Sequence, residues 1–173
     1  MNIRDQLLEE HSKANANKIV KYIGDSEEKL AALMDCFFSD NYRESQRSAM
    51  VVSLLFDLKP NLIEPFKEEI ILQLQQKDLE VAVKRNSIRI LQFQEIPEAF
   101  AAPLFDSCLG FLMDSREPVA VKAFSMTVLY NLCSHFPELK SEVIPIIKQE
   151  LHQNESKGIQ SRGKKVLKQL NKL

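Results

Sequence analysis

Val81-Ala82-Val83-Lys84, followed by Ser87, Ile90 and Leu91, returns as Val119-Ala120-Val121-Lys122, followed by Ser125, Val128 and Leu129. The offset is 38 residues, and it extends outward in both directions. Small residues recur at Ala49, Ser87, Ser125 and Gly163, and β-branched residues at Val52, Ile90, Val128 and Val166. A third column, Leu33, Ile71, Leu109 and Ile147, is aliphatic throughout. A period in the range of about 20–50 residues is the mark of stacked supersecondary units.

The repeating unit is read from its apolar spacing and its breakers. Ile3, Leu7, Leu8, Ile19, Val20 and Ile23 fall at helical spacing, so residues 2–22 read as a helix that Gly24 stops. Ser12 offers an alternative cap, with a break near His11. Asp25-x-x-Glu28 resembles a capping box and opens a helix carrying Leu30, Leu33, Met34 and Phe37. After a turn at Ser39-Asp40-Asn41, a helix runs from about Tyr42 to Phe56 and ends at Lys59-Pro60. The next runs from about Leu62 to Gln75 with Pro65 in its first turn, and Asp78 is the expected cap of a helix over 79–93. Pro97 and Pro103 bracket an irregular start before a helix from Leu104 to Met113. Helices over 118–135, 138–152 (with Pro145 inside) and 157–171 complete the chain. No alternating strand pattern is present. Four helix pairs result, 25–57, 61–94, 98–135 and 138–171, within one domain spanning 1–173. One pair cannot bury its own apolar stripe, but a stack of pairs can, with 2–22 as an N-terminal cap.

Composition bounds the chemistry. Of 173 residues only 4 are glycine, too few for a turn-rich β or α/β fold. Lys+Arg 23 against Asp+Glu 24 gives a net charge of -1, so any attraction to a polyanion must come from where charges are placed. The N-terminus carries no secretory apolar core, and the longest apolar run, around Ala49 to Phe56, is interrupted by Ser53. Cys36, Cys108 and Cys133 are widely spaced among apolar neighbours, which suits reduced thiols in a cytoplasm. Neither C-x-x-C nor clustered histidine appears, so no metal is expected, and no organic cofactor motif is present.

Val121-Lys122-Ala123-Phe124-Ser125 resembles the V-R-x-x-A core of HEAT repeats, with Lys in place of Arg, and Val83-Lys84-Arg85-Asn86-Ser87 repeats it. Asp78 and Asp114 precede them where HEAT repeats often place an aspartate that pairs with that basic residue. Asp40 is the equivalent in the first pair, where Gln46 holds the basic position, and Ile159-Gln160-Ser161-Arg162-Gly163 departs similarly in the fourth. The resemblance covers about 25–171, and the chain as a whole is similar to small bacterial HEAT-repeat proteins. It implies an all-α superhelix, an armadillo-like solenoid with first helices on the convex side and second helices on the concave side.

Charge placement gives the sharpest functional signal. The first helices (25–38, 61–76, 98–114 and 138–152) sum to -9, and the second helices (41–57, 78–93, 116–135 and 155–171) to +6. Continuing the register, the expected concave surface carries Arg47, Arg85, Arg89, Tyr130, Arg162, Lys165 and Lys168, with Phe124 and Thr127 among them. One reading is a scaffold groove for an acidic peptide or protein. The other is that solvated helix faces carry charge of some sign, the default for charge runs. Phe124 and Tyr130 are contact anchors on the first reading and core residues on the second.

Catalysis finds little support. His11, His135 and His152 are scattered, and Cys133 and His135 point to different faces of a helix. No nucleophile–base order, phosphate loop or paired carboxylate motif is visible, so the chain reads as non-enzymatic. A nucleic-acid backbone is the alternative partner, since HEAT-like alkylpurine DNA glycosylases share the architecture and a basic concave face. Their pocket uses a Trp beside an Asp and an Arg, and this chain has no Trp. Nothing in the sequence specifies an oligomeric state.

Overall fold

A computed structural model describes residues 1–173, and it is helical throughout. The chain forms two compact units, residues 1–90 and 91–173, each described on its own.

In the first unit α1 (Ile3–Glu9) and α2 (Lys13–Ile23) are separated by a corner at Glu10-His11-Ser12. The break falls at the alternative position, with the Ser12 side chain accepting from the Asn15 backbone N–H. Buried Asn15 builds the corner: its Nδ2 donates to the carbonyls of Gln6 at 2.7 Å and Glu10 at 2.8 Å. The expected single capping helix is therefore a short hairpin. Gly24 ends α2 at φ 56, in the left-handed region that a β-carbon penalises, and donates to the Val20 carbonyl. α3 (Glu27–Phe37) and α4 (Tyr42–Leu58) form the next hairpin, with α1 packed against α3 and α2 against α4. Ser26, not Asp25, caps α3, and Asn41 caps α4 through its Oδ1.

Pro60 ends α4 and also begins the next stretch: α5 (Pro60–Ile63), a 3-10 turn (Glu64–Phe66) around Pro65, and α6 (Lys67–Gln73). Gln73 Nε2 donates to the Phe37 carbonyl at 3.0 Å, joining α6 to the end of α3. α7 (Val81–Leu91) starts later than its expected Asp78 cap. Asp78 stays exposed, and the Glu80 carboxylate accepts from the Ala82 backbone N–H instead.

The second unit holds α8 (Glu98–Met113), α9 (Val119–His135), α10 (Lys140–Gln153, entered through a 3-10 turn at Pro137–Leu139) and α11 (Lys157–Leu170). First helices touch first helices (α8 and α10) and second touch second (α9 and α11), as stacked hairpins require. Pro103 lies inside α8 rather than before it. It is the sixth residue, so it supplies no N–H to the carbonyl of Ala99, an exposed residue. Pro145 occupies the same sixth place in α10, over exposed Ser141.

The 38-residue columns are core. Ala49, Ser87, Ser125 and Gly163 are all buried, as are Val52, Ile90, Val128 and Val166. Small side chains mark close helix approach: a β-carbon on Gly163 would lie 2.7 Å from Leu151 Cδ2 on the neighbouring α10. Leu33, Ile71 and Ile147 are fully buried, while Leu109 is half-exposed. No helix is long and apolar enough to cross a membrane.

Candidate binding surfaces on the second helices

The seven residues expected on the concave face fare differently. In the first unit Arg47 is turned inward: its Nη1 donates to the carbonyls of Leu7 at 2.9 Å and Leu8 at 2.8 Å. Those carbonyls end α1 and have no acceptor role inside that helix, so the guanidinium caps them. Arg89 is also engaged. Its Nη2 holds both Asp57 oxygens, at 2.6 and 2.9 Å, and its Nη1 donates to Ser53 Oγ at 2.8 Å. Only Arg85 of the three stands exposed without such a clamp.

Arg85 and Arg89 come together in a groove of about 460 Å³ between α4 and α7, a size typical of ligand clefts. Half-buried Met50 and Leu54 give it an apolar wall, and Gln46 and Asn86 give it amides. Asn86 Nδ2 donates back to the Ala82 carbonyl at 2.7 Å, which fixes that amide. His11 and Lys13, from the α1–α2 corner, complete the lining, and both are exposed. Lys13, Arg85 and Arg89 set against Asp57 leave the groove electropositive. Reading along the 38-residue register passes over His11 and Lys13, because they precede the first full repeat. The Ser12 cap was the signal that could have found them.

In the second unit Arg162 is drawn into the α9–α11 contact. Its Nη1 donates to Thr127 Oγ1 and to Gln92 Oε1 at 3.3 Å, and its guanidinium lies 6.0 Å from the Phe124 ring centre. Phe124, Thr127 and Tyr130 are half-buried on α9, while Lys165 and Lys168 on α11 are exposed. The structure thus brings Arg162, Phe124 and Thr127 together as a packing contact and leaves the two lysines in solvent.

The expected aspartate ladder is corrected at Lys122. Its Nζ pairs with Glu150 Oε1 at 2.8 Å, not with Asp114, and both side chains are more than nine-tenths buried. Asp114 instead receives Arg116, from its backbone N–H, its Nε and its Nη2. Lys84 occupies the same fourth place in α7 that Lys122 occupies in α9, and it too is buried.

The three thiols are buried, and burial pushes all of them up: Cys108 to about 12, against a weaker opposing contact from Ser125, Cys133 to about 11, and Cys36 in the same direction with Arg4 opposing. A thiol held neutral in the fold keeps a proton that the unfolded chain loses near pH ~8.5. The folded state then binds more protons, so stability is full below that pH and falls as pH rises towards the folded values. Unfolding free energies from urea titrations between pH 8.5 and 10 are expected to fall, by up to about 1.4 kcal/mol per pH unit for each thiol. Cys108→Ala is expected to flatten that slope; an identical slope would show that this thiol is not held neutral.

The sequence model of one family, described as a HEAT repeat domain, matches residues 3–170. Comparison of the chain with curated proteins and with solved structures finds no match.

Proposed function

Because the chain belongs to the HEAT repeat domain family, whose kind of role is the protein-interaction scaffold, we propose that it is a non-catalytic module of the cytoplasm whose α4–α7 groove takes an acidic segment of a partner protein. The observation that carries this reading is the pairing of charge with an apolar wall. Lys13 and Arg85 project exposed cations beside Met50 and Leu54, while Arg89 is held in place by Asp57 and Ser53. An extended peptide with carboxylates flanking one aliphatic side chain satisfies both elements. The cations steer and orient, and the burial of apolar surface supplies affinity. Three buried thiols and no disulfide suit a reducing compartment.

The test is a titration of a fluorescein-labelled Glu/Leu peptide, followed by anisotropy at 150 mM salt. Wild type is expected to bind, and Lys13→Glu combined with Arg85→Glu to weaken binding at least ~10-fold, since like charges across an interface repel. Both positions are exposed, so the fold should survive, and a thermal melt checks that it does. Equal affinity of the folded variant would sink the reading. A labelled DNA duplex that binds more tightly, with a steep log–log salt slope, would transfer the groove to a phosphate backbone.

A further inference from the structure

The second unit carries a groove of the opposite sign on its first-helix side. It measures about 470 Å³ and lies between the first half of α8 and the α9–α10 junction. Its floor is apolar: Phe105 is 6% exposed, and half-buried Phe136 and Leu139 face it from the junction. Its rim is acidic, with Glu98, Asp106 and Glu138 all exposed and no basic residue in the lining.

The placement of the carboxylates is informative. Glu98 and Glu138 lie in first turns, where the helix dipole favours an anion. Asp106 sits in the middle of α8 and has no such reason. None of the three joins an ion pair, although Asp25, Glu44, Asp57, Asp114 and Glu150 all do. Residues 98, 101, 102, 105 and 106 follow one face of α8, so the apolar strip runs along the helix with acidic residues at both ends.

We propose that this groove docks a basic amphipathic segment of a partner protein, one large apolar side chain entering over Phe105 and lysine or arginine residues meeting Glu98, Asp106 and Glu138. Charge complementarity selects this occupant: an acidic or neutral apolar segment would bring like charge to the rim or leave three carboxylates desolvated without partners. The proposal concerns a different unit and a different charge from the α4–α7 groove and stands whether or not that groove binds anything. Together the two would make the chain an adaptor with one acid-binding and one base-binding surface.

The probe is a fluorescein-labelled Leu/Lys amphipathic peptide, with a Leu/Glu counterpart of the same pattern as control. Wild type is expected to bind the Leu/Lys peptide. Glu98→Lys with Asp106→Lys should weaken it at least ~10-fold and begin to bind the Leu/Glu peptide. Ala102→Trp, which fills the groove from an exposed position without changing charge, should weaken it as well, while Lys13→Glu with Arg85→Glu leaves it unchanged. Should the double reversal unfold the chain, Glu98→Gln with Asp106→Asn gives the same comparison by neutralisation. Peptide affinity indifferent to both the charge and the Ala102 variants overturns the proposal. So does self-association in sedimentation that these variants abolish, because a second copy would then be the occupant.

Discussion

Glu150→Ala is expected to destabilise the protein by about 3–5 kcal/mol, read as a shift in the urea midpoint. The lysine side chain it leaves behind is Lys122, 3% exposed, in the first turn of α9. With Glu150 gone, the buried Lys122 side chain loses its only ion-pair partner, at 2.8 Å. Asn154 Nδ2, which donates to the same Glu150 oxygen at 3.0 Å, loses its acceptor too. Removing both charges is different. Lys122→Met with Glu150→Leu keeps the volume and abolishes the desolvation cost, so the double variant is expected within about 1–2 kcal/mol of wild type, or above it. A single variant costing under about 1 kcal/mol would show that the pair is solvated rather than buried.

That pair also marks the edge of what the sequence makes legible. The columns at 38-residue spacing are visible because close helix approach restricts a position to small residues, and Ala49, Ser87, Ser125 and Gly163 obey the restriction with different chemistries. The burial of Lys84 and Lys122 follows from the same register. The partner of Lys122 does not. Glu150 lies on the next first helix, 28 residues on, and nothing in a loose repeat motif distinguishes it from the turn aspartate that the resemblance suggested. Prolines mislead in another way. Pro103 reads as a helix boundary, yet the helix continues through it, at the cost of one N–H missing opposite exposed Ala99.

What each candidate side chain does is only partly legible in the sequence. Arg85, Lys165 and Lys168 stand exposed. Arg47, Arg89 and Arg162 spend their guanidinium groups on Leu7 and Leu8, on Asp57, and on Thr127. A long basic side chain at a helix surface can turn to any acceptor within reach, and periodicity does not say which. The acidic groove on α8 was present only as a charge sum. Its depth arises from Phe105 meeting Phe136 and Leu139, residues that are brought together by tertiary packing alone.

Cross-linking neighbouring hairpins of the second unit should produce the largest gain. A β-carbon on Gly158, at the start of α11, would lie 2.8 Å from Val119 Cγ1, at the start of α9. The β-carbons of the two residues are then at most one bond further apart, which keeps them below the ~4.5 Å upper limit for a disulfide. Both positions are exposed, and the three native thiols are buried, so the engineered pair can oxidise without competition. Bridging them closes a loop of one repeat. Loop-closure entropy then predicts a gain of about 2–4 kcal/mol for the oxidised form over the reduced.

The stacking of one helix pair on the next at a one-repeat offset is therefore tested most directly by Val119→Cys with Gly158→Cys, oxidised in air and read by intact and peptide mass spectrometry. The expected result is an intramolecular 119–158 disulfide formed in native buffer, with a raised urea midpoint that returns on reduction. Free thiols after oxidation, or bridges found only between molecules, would mean that α9 and α11 are not neighbours in register.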